Sequence, residues 1–275
     1  MDKNLSIITI NYNQAGGLKK TLDSLREQSF NDFELLLIDG GSDDGSVELV
    51  KKNKDMITYW ISEKDNGIYD AQNKGILKAK GKYLLFLNSG DTLVNKLVLQ
   101  DFNTFCNGNN FQLIYGDTLV FDESGKLQQQ IVQPDPIEEY YFYNNTLNHQ
   151  SCFIQKQLFD KFGLYKLEYK ICSDFEFFLN VYMNQKEAYV HFNKFVANYS
   201  LGGISSDKKN YQKVVDEKEM ILAKYFKPEK LKLFRKQFKK EMSFKINLKN
   251  WAYNNKIMNS VIKLYVHNIK GKKID

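Results

Sequence analysis

A chain of 275 residues, 43% hydrophobic and 26% charged, holds one large domain or a domain with an appendage, and its 3 prolines and 16 glycines argue against long disordered linkers. Three cysteines without a CxxC spacing exclude a disulfide framework and a cysteine zinc site, and no run of 18 apolar residues offers a membrane-spanning helix. The net charge of +6 is unevenly placed: residues 224–275 carry 15 Lys+Arg against 3 acids, a net of +12, which leaves −6 for the first 223.

Leu5 to Ile10 reads as a first strand, followed by an exit loop through Asn11-Tyr12-Asn13 and Gly16-Gly17. Leu18, Leu22 and Leu25 then recur at helical spacing. Phe33 to Ile38 is a second strand, ending in Asp39 and the turn Gly40-Gly41-Ser42-Asp43-Asp44-Gly45, where Ser42 or Asp43 can cap the next helix. Ile57 to Ile61 predicts a third strand, Glu63 to Gly67 a polar loop and Tyr69 to Ala79 a helix stopped at Gly81. The apolar run Tyr83 to Leu87 predicts a buried fourth strand that delivers Asn88-Ser89-Gly90-Asp91, with a helix expected over Asn95–Phe105. Strands alternating with helices predict a parallel sheet with right-handed crossovers.

Beyond residue 110 the pattern changes. Leu113–Phe121 and Leu127–Val132 predict an antiparallel pair, Ser151–Ile154 a short strand, and Lys156–Phe162 and Asp174–Asn184 helices. Short strands are expected at Ala188–Phe192 and Val196–Ser200. The expected organisation is a domain over 1–223, with a nucleotide-sugar half (1–110) and an acceptor half (111–223), and a basic helical extension over 224–275.

The chemistry gathers at strand ends, where open α/β sheets bind ligands. A strand-end Asp39 can accept hydrogen bonds from a nucleobase or ribose, and the glycines after it leave the backbone open to a ligand; as a bare pattern it is equally a turn former. Asp91 offers a carboxylate to a divalent cation bridging two phosphates, a task that one or two protein carboxylates perform with phosphates and water, or it caps the following helix. Asp174 opens an apolar helix, where a carboxylate serves either as cap or as general base; the local pattern does not decide. His149-Gln150 stands before an apolar strand near a polar loop, within reach of substrate. Tyr140-Tyr141-Phe142-Tyr143 suits sugar stacking or packing, and Gly202-Gly203 marks a mobile loop with the character of a lid.

Taken together, these segments resemble inverting family 2 glycosyltransferases with the GT-A fold. Ser6 to Asn13 is similar to that family's first strand, Asp39 to Ser46 to its base-binding turn, and Asp65 to Gly75 to the segment before its metal motif. The resemblance covers about residues 4–205 and is nearest to the bacterial branch that builds surface polysaccharides, including the colanic-acid type, where the metal motif also reads Asn-Ser/Ala-Gly-Asp. It implies an α/β fold with a Rossmann-like, mostly parallel central sheet flanked by helices and a C-terminal helical appendage. It implies a base pocket at Asp39, Thr9, Asn11 and Asn13, with Asp70 and Asn73 beside the nucleotide. The segment Asn88, Ser89, Gly90 and Asp91 takes the DxD position, with Asp91 holding Mn2+ or Mg2+ against the diphosphate. His149 and Gln150 fall near acceptor and diphosphate, and Asp174 becomes the general base.

Two departures stand out. Asn88 and Gly90 replace acids of the DxD motif, and Ser173 replaces the Glu of the Glu-Asp pair, with Glu176 a nearby substitute. The implied partners are a nucleotide-diphosphate sugar, with uridine the expected base, and a lipid-linked or oligosaccharide acceptor.

In the tail, Leu231, Phe234, Phe238 and Met242 form one apolar stripe among lysines, and Ile257, Val261, Ile262, Tyr265 and Ile269 a second. A basic amphipathic helix of this kind lies on an anionic membrane surface, pairs with a second copy as a homodimer, or packs on the core with a solvated basic face. The N-terminus runs directly into the first strand without a signal-peptide pattern, so the expected location is cytoplasmic, peripheral on the inner face of the cytoplasmic membrane. Two alternatives share some of these features. A non-catalytic nucleic-acid binder would act through the tail, but the first 223 residues are net acidic and no nucleic-acid motif is present, so no nucleic acid is expected. A nucleotidyltransferase would carry a basic glycine-rich loop after strand one, and Asn11 to Gly17 holds neither Lys nor Arg.

Overall fold

The structure is a computed structural model and describes residues 4–204 and 206–254. Four apolar segments build the parallel part of the sheet: β1 (Leu5–Asn11), β2 (Phe33–Asp39), β3 (Tyr59–Ser62) and β4 (Tyr83–Phe86). The helices α1 (Ala15–Arg26), α2 (Ser46–Lys52) and α3 (Ile68–Lys78) connect them. Parallel strands are covered on both faces, which is why β1, β2 and β4 read as continuous apolar runs. On one face Leu5, Ile7, Leu35, Leu37 and Leu85 pack with Leu18, Leu22 and Leu25 of α1. On the other, α3 lies so close that a Cβ on Gly75 would sit 2.5 Å from Ile8 Cγ2.

The strand order β3-β2-β1-β4 places β1 between β2 and β4, so strand addition changes direction at β1. The crevice at the C-terminal ends of β1, β2 and β4 is therefore the place where such a sheet takes a ligand.

The second half adds β5 (Thr92–Leu93), α4 (Val98–Cys106), β6 (Leu113–Phe121), β7 (Leu127–Ile131), α5 (Glu139–Asn144), β8 (Cys152–Gln155), α6 (Lys156–Phe162), α7 (Ser173–Gln185), β9 (Tyr189–Ser200) and α8 (Tyr211–Tyr225). β8 inserts antiparallel between β4 and β6, and β9 runs parallel to β6, with β5 on its far edge. The expected pair of β6 and β7 forms, antiparallel.

Two strands expected at Ala188–Phe192 and Val196–Ser200 are the single β9. Its register on β6 jumps from Gly116↔Phe192 to Asp117↔Phe195, so Asn193 and Lys194 bulge out and are exposed. Polar residues at that bulge imitate a turn. The helix expected from Asn95 begins at Val98.

The chain divides into two compact units, the first ending at Tyr225. The second holds α9 (Pro228–Asn254), which carries Leu231, Phe234, Phe238 and Met242; the Phe234 ring meets Phe226 edge-on at 5.4 Å. The stripe Ile257, Val261, Ile262, Tyr265 and Ile269 lies outside the described residues. Among the described residues no helix is long and apolar enough to cross a membrane.

Candidate active site

The nucleotide end is built from one row of the sheet. Asn11, Asp39 and Ser62 are register neighbours on β1, β2 and β3, so their side chains share a face. Asp39 takes Asn11 Nδ2–H at 2.7 Å and the hydroxyls of Ser42 and Ser62 at 2.6 Å each. It also takes the backbone N–H groups of Ser42 at 2.9 Å and Gly41 at 3.2 Å. Burial pushes its pKa up, but these donors outweigh it and hold the carboxyl below the usual carboxylate range.

Asp39, expected from the sequence to contact the base, is engaged by internal donors in this structure. Its oxygens are buried and occupied by five internal donors, so in this structure it fixes the turn. Gly40 and Gly41 of that turn line a cleft with Tyr12 from the exit of β1 and Lys64, Asp65 and Gly67 from the exit of β3. A Cβ at Gly40 would lie 2.7 Å from Asp65 Oδ2, so a side chain there would push the Asp65 carboxylate aside.

Asn13, at φ 49°, donates its N–H to Ser42 Oγ and accepts from Asp43 N–H, tying the two strand exits together. Asp70 accepts from the Asn66 backbone at 2.9 Å and lies 3.9 Å from Lys74 Nζ. Asn73, expected beside the nucleotide, is buried, and its amide bonds both ways to the backbone of Tyr165, at 2.8 and 3.0 Å, which ties α3 to that segment.

The reaction end is built around the turn after β4. Gly90 adopts φ 101°, a conformation glycine takes without strain. Thr21 of α1 organises this turn: its hydroxyl accepts from Gly90 N–H at 3.0 Å and lies 2.8 and 3.2 Å from the carbonyls of Asp91 and Asn88, to one of which it donates. Asp91 is buried, with Oδ1 3.3 Å from Ser200 N–H. Burial pushes its pKa up to about 7 against the opposing influence of His149, Ser200 and a hydrogen bond from Gln150.

Asp174 sits in the first turn of α7. Its Oδ1 accepts Phe175 N–H and faces the Tyr69 hydroxyl, each at 2.8 Å, and its Oδ2 is 2.9 Å from His149 Nδ1. The Tyr69 hydroxyl also lies 2.6 Å from the Ile171 carbonyl, and its one proton goes to either acceptor. Burial raises the Asp174 pKa, but His149, Tyr69 and the Phe175 N–H outweigh it and hold the carboxyl below its ordinary value, ionised at neutral pH.

The other nitrogen of His149, Nε2, is 3.1 Å from Asn88 Nδ2, whose orientation is supported by Gln72 Nε2 donating to Asn88 Oδ1. These partners leave Nδ1 as the donor to Asp174 and turn Nε2 toward the Asn88 amide. His149 thus bridges Asp174 to the turn that carries Asp91.

Glu176 is not at this site. It follows Asp174 by two helical positions and so points away from it; its carboxylate meets Lys166, Lys224 Nζ at 2.7 Å and Tyr225 OH at 2.6 Å. It therefore does not replace the glutamate missing at Ser173, which is buried with an unpartnered hydroxyl.

Three residues escaped the sequence reading. Thr21 breaks the leucine stripe of α1, and Tyr69 opens α3; both are polar groups on buried helix faces. Glu217 lies on α8, a helix the sequence reading did not anticipate. Its carboxylate accepts the consecutive N–H groups of Lys170, Ile171 and Cys172 at 2.8, 2.9 and 2.9 Å, fixing the segment that leads to Asp174.

Four buried polar atoms around the strand ends have no partner: Thr9 Oγ1, Asn11 Oδ1, Gln72 Oε1 and Ser89 Oγ. Buried polar groups are nearly always paired, so these four atoms are open to a bound water or ligand.

This sheet topology, with its crevice at the ends of β1, β2 and β4, is shared with solved glycosyltransferase structures. The chain aligns with Staphylococcus aureus TarS residues 1–349 in complex with UDP-GlcNAc at a TM-score of 0.60 and 19% identity, over 81% of this chain and 71% of that one. Against a longer TarS chain it spans 42% of the length at a TM-score of 0.58. A mannosyltransferase of Pyrobaculum calidifontis in complex with GDP-Man and Mn2+ aligns at 0.52 with 14% identity, over 71% of this chain and 55% of that one. The architecture is therefore the GT-A fold. The sequence profile of glycosyl transferase family 2 matches residues 6–166. A PGL/p-HBAD biosynthesis glycosyltransferase of Mycobacterium bovis (strain BCG / Pasteur 1173P2) is 30% identical over 206 residues, 73% of this chain and 78% of that protein. The chain belongs to glycosyl transferase family 2.

Proposed function

We propose that this glycosyltransferase moves a sugar from a nucleoside-diphosphate donor, with UDP the first choice, to a hydroxyl of a lipid-linked oligosaccharide, with inversion. The product belongs to bacterial surface polysaccharide synthesis of the kind that includes colanic acid. The observation that carries this reading is the Asp174–His149–Asn88 bridge, which sets an ionised carboxylate beside the turn of Asp91. Oδ1 of Asp174 already faces two donors, while Oδ2 meets only His149 and keeps a lone pair for an acceptor hydroxyl. Asp174 takes that proton as the oxygen attacks the anomeric carbon opposite the leaving diphosphate. UDP is favoured because TarS, of similar fold, is described with UDP and UDP-GlcNAc.

The residues present fit a divalent cation held mainly by the ligand's phosphates. Among the described residues no group of three His, Cys, Asp or Glu forms a self-sufficient cage, yet Asp91 is a buried carboxylate without a cation and Ser89 Oγ beside it has no partner. Asp91 would hold Mn2+ or Mg2+, and the ion would neutralise charge developing on the leaving diphosphate. The catalytic domain is taken as 1–223. The basic extension 224–275 provides a cationic face for anionic lipid on the inner side of the cytoplasmic membrane, at about 1 kcal/mol per lysine near the surface. Binding of the whole chain to anionic but not neutral vesicles, lost at high salt, checks that part.

A thermal-shift panel of UDP-, GDP-, dTDP- and CMP-sugars, each with and without Mn2+, tests the whole. A ligand of the native state raises the melting temperature by mass action. A shift with one base class, enlarged by Mn2+, is expected; no shift with any of them refutes the donor site.

A further inference from the structure

Lys218 lies on α8 immediately after Glu217. Its ammonium sits 5.0 Å over the centre of the Phe175 ring, and Phe175 is the residue whose N–H holds Asp174. The side chain is half-buried, yet among the described residues Lys218 has no ion pair and no hydrogen bond. The carboxylates near it are committed elsewhere. Glu217 holds three backbone N–H groups, and Asp174 is engaged with His149, Tyr69 and Phe175. Burial, the largest influence, lowers the Lys218 pKa, opposed by the fields of Cys172 and Asp174. A half-buried ammonium that feels the field of Asp174 but touches no carboxylate keeps its N–H donors free for an anion.

The surroundings say where that anion comes from. Tyr211, Val214 and Lys218 share one face of α8 by their three- and four-residue spacing. Tyr211 and Val214 line a groove with Ser206, Asp207 and Lys208, at the foot of the Gly202-Gly203 loop. Asp207 is the acid of that groove, and its side chain accepts Lys209 N–H. Lys218 itself is not part of that groove; it follows Val214 by one helical turn on the same face of α8.

We propose that Lys218 is the anchor for a phosphate group of the substrate at the rim of the Asp174 site. The proposal rests on the transferase reading and adds a binding residue to it. The phosphate comes either from the donor diphosphate or from the phosphate that links an acceptor to its lipid. In both cases the ammonium acts as a point charge, offering up to three N–H donors to phosphate oxygens.

Calorimetry on the full chain decides the matter, with UDP, uridine, inorganic pyrophosphate and farnesyl phosphate as probes and K218M, K218R and the exposed-lysine control K213M as variants. Losing a charge-assisted contact weakens binding by about tenfold or more. The expected result is that loss for K218M with UDP or with farnesyl phosphate, unchanged uridine binding, and recovery in K218R. UDP alone affected places the donor diphosphate on Lys218; farnesyl phosphate alone affected places the acceptor phosphate there. Wild-type affinities for every phosphate probe in K218M overturn the anchor and leave the transferase reading intact. A wild-type chain that binds pyrophosphate or farnesyl phosphate through Lys218 but no nucleotide overturns the donor reading and leaves the anchor. A wild-type chain that binds no phosphate probe overturns the anchor outright.

Since Lys218 makes no ion pair, K218M should fold. A second measurement does not depend on the variant: acetylation of Lys218 by acetic anhydride, followed by mass spectrometry, in the wild-type chain. Saturating pyrophosphate is expected to slow it about tenfold relative to Lys213, as tight occupancy of one amine requires. Equal rates with and without the anion refute the proposal.

Discussion

Replacing Glu217 by alanine tests how the base is held without needing any substrate. The carboxylate accepts three consecutive backbone N–H groups, from Lys170, Ile171 and Cys172, and is itself buried. Leaving a buried donor unsatisfied costs about 1–3 kcal/mol, and bonds to a charged acceptor stand at the upper end of that range. Three such groups set an upper bound of about 9 kcal/mol, but water entering the cavity left by the side chain satisfies part of it. The expected loss is about 3–5 kcal/mol, the range seen when one partner of a buried charged interaction is removed. For a domain of this size each 1 kcal/mol lowers the melting temperature by about 2–4 °C, so Glu217→Ala should lower it by roughly 6–20 °C. Glu217→Gln should fall between, since the amide accepts at one oxygen and turns an N–H toward another donor. Glu219→Ala, on the exposed side of α8, is the control and should be neutral. Urea unfolding followed by circular dichroism gives the numbers. A loss below about 1 kcal/mol in Glu217→Ala would mean that these bonds are replaced freely by water, and the latch on Asp174 would not exist.

Asp174→Asn removes the base while keeping its shape, and turnover in a donor-to-acceptor transfer assay should fall by about 10²–10⁴, with near-wild-type kcat refuting the assignment. Gly75→Ala drives a methyl against Ile8, 2.5 Å away, and should destabilise by about 1–3 kcal/mol in thermal unfolding, since neither helix nor strand can yield there. Asp91 carries a pKa raised to about 7, so the folded state binds more protons than the unfolded one between the ordinary carboxylate value and that pH. Without metal, stability should therefore decline as pH rises from 4 to 7, and Asp91→Asn should flatten that decline. Mn2+-enhanced nucleotide binding should move oppositely, strengthening as pH rises through about 7. A pH-independent metal effect in calorimetry would count against Asp91 as the ligand.

β1, β2 and β4 were legible because burial on both faces leaves mostly apolar residues, and each run ends at a polar residue of the crevice: Asn11, Asp39 or Asn88. What sequence could not supply is where a polar side chain points. Asp39, Asn73 and Glu176 stand out in the sequence by residue type and position, and the structure gives each internal partners: the turn at Ser42, the backbone of Tyr165, and Lys166 with Lys224 and Tyr225. A carboxylate committed to structure and one open to a ligand look alike in one dimension. Only the count of donors around each oxygen separates them.

The same reasoning explains why the reaction end is coherent although two acids of its motifs are missing. With Asn88 in place of an acid, the turn loses a charge but gains an amide that can donate to His149. The imidazole is then polarised from both sides, accepting from Asn88 and donating to Asp174. An acid at position 88 would instead accept from Nε2, favour the doubly protonated ring and bring a second charge close to Asp174. The asparagine thus faces Nε2 with an amide, and Asp174 keeps a single donor on Oδ2. Residues 88, 149 and 174 are far apart in sequence and belong to a strand exit, a short helical turn and a helix start. Their meeting depends on β8 inserting beside β4, which sets His149 next to the turn that β4 delivers.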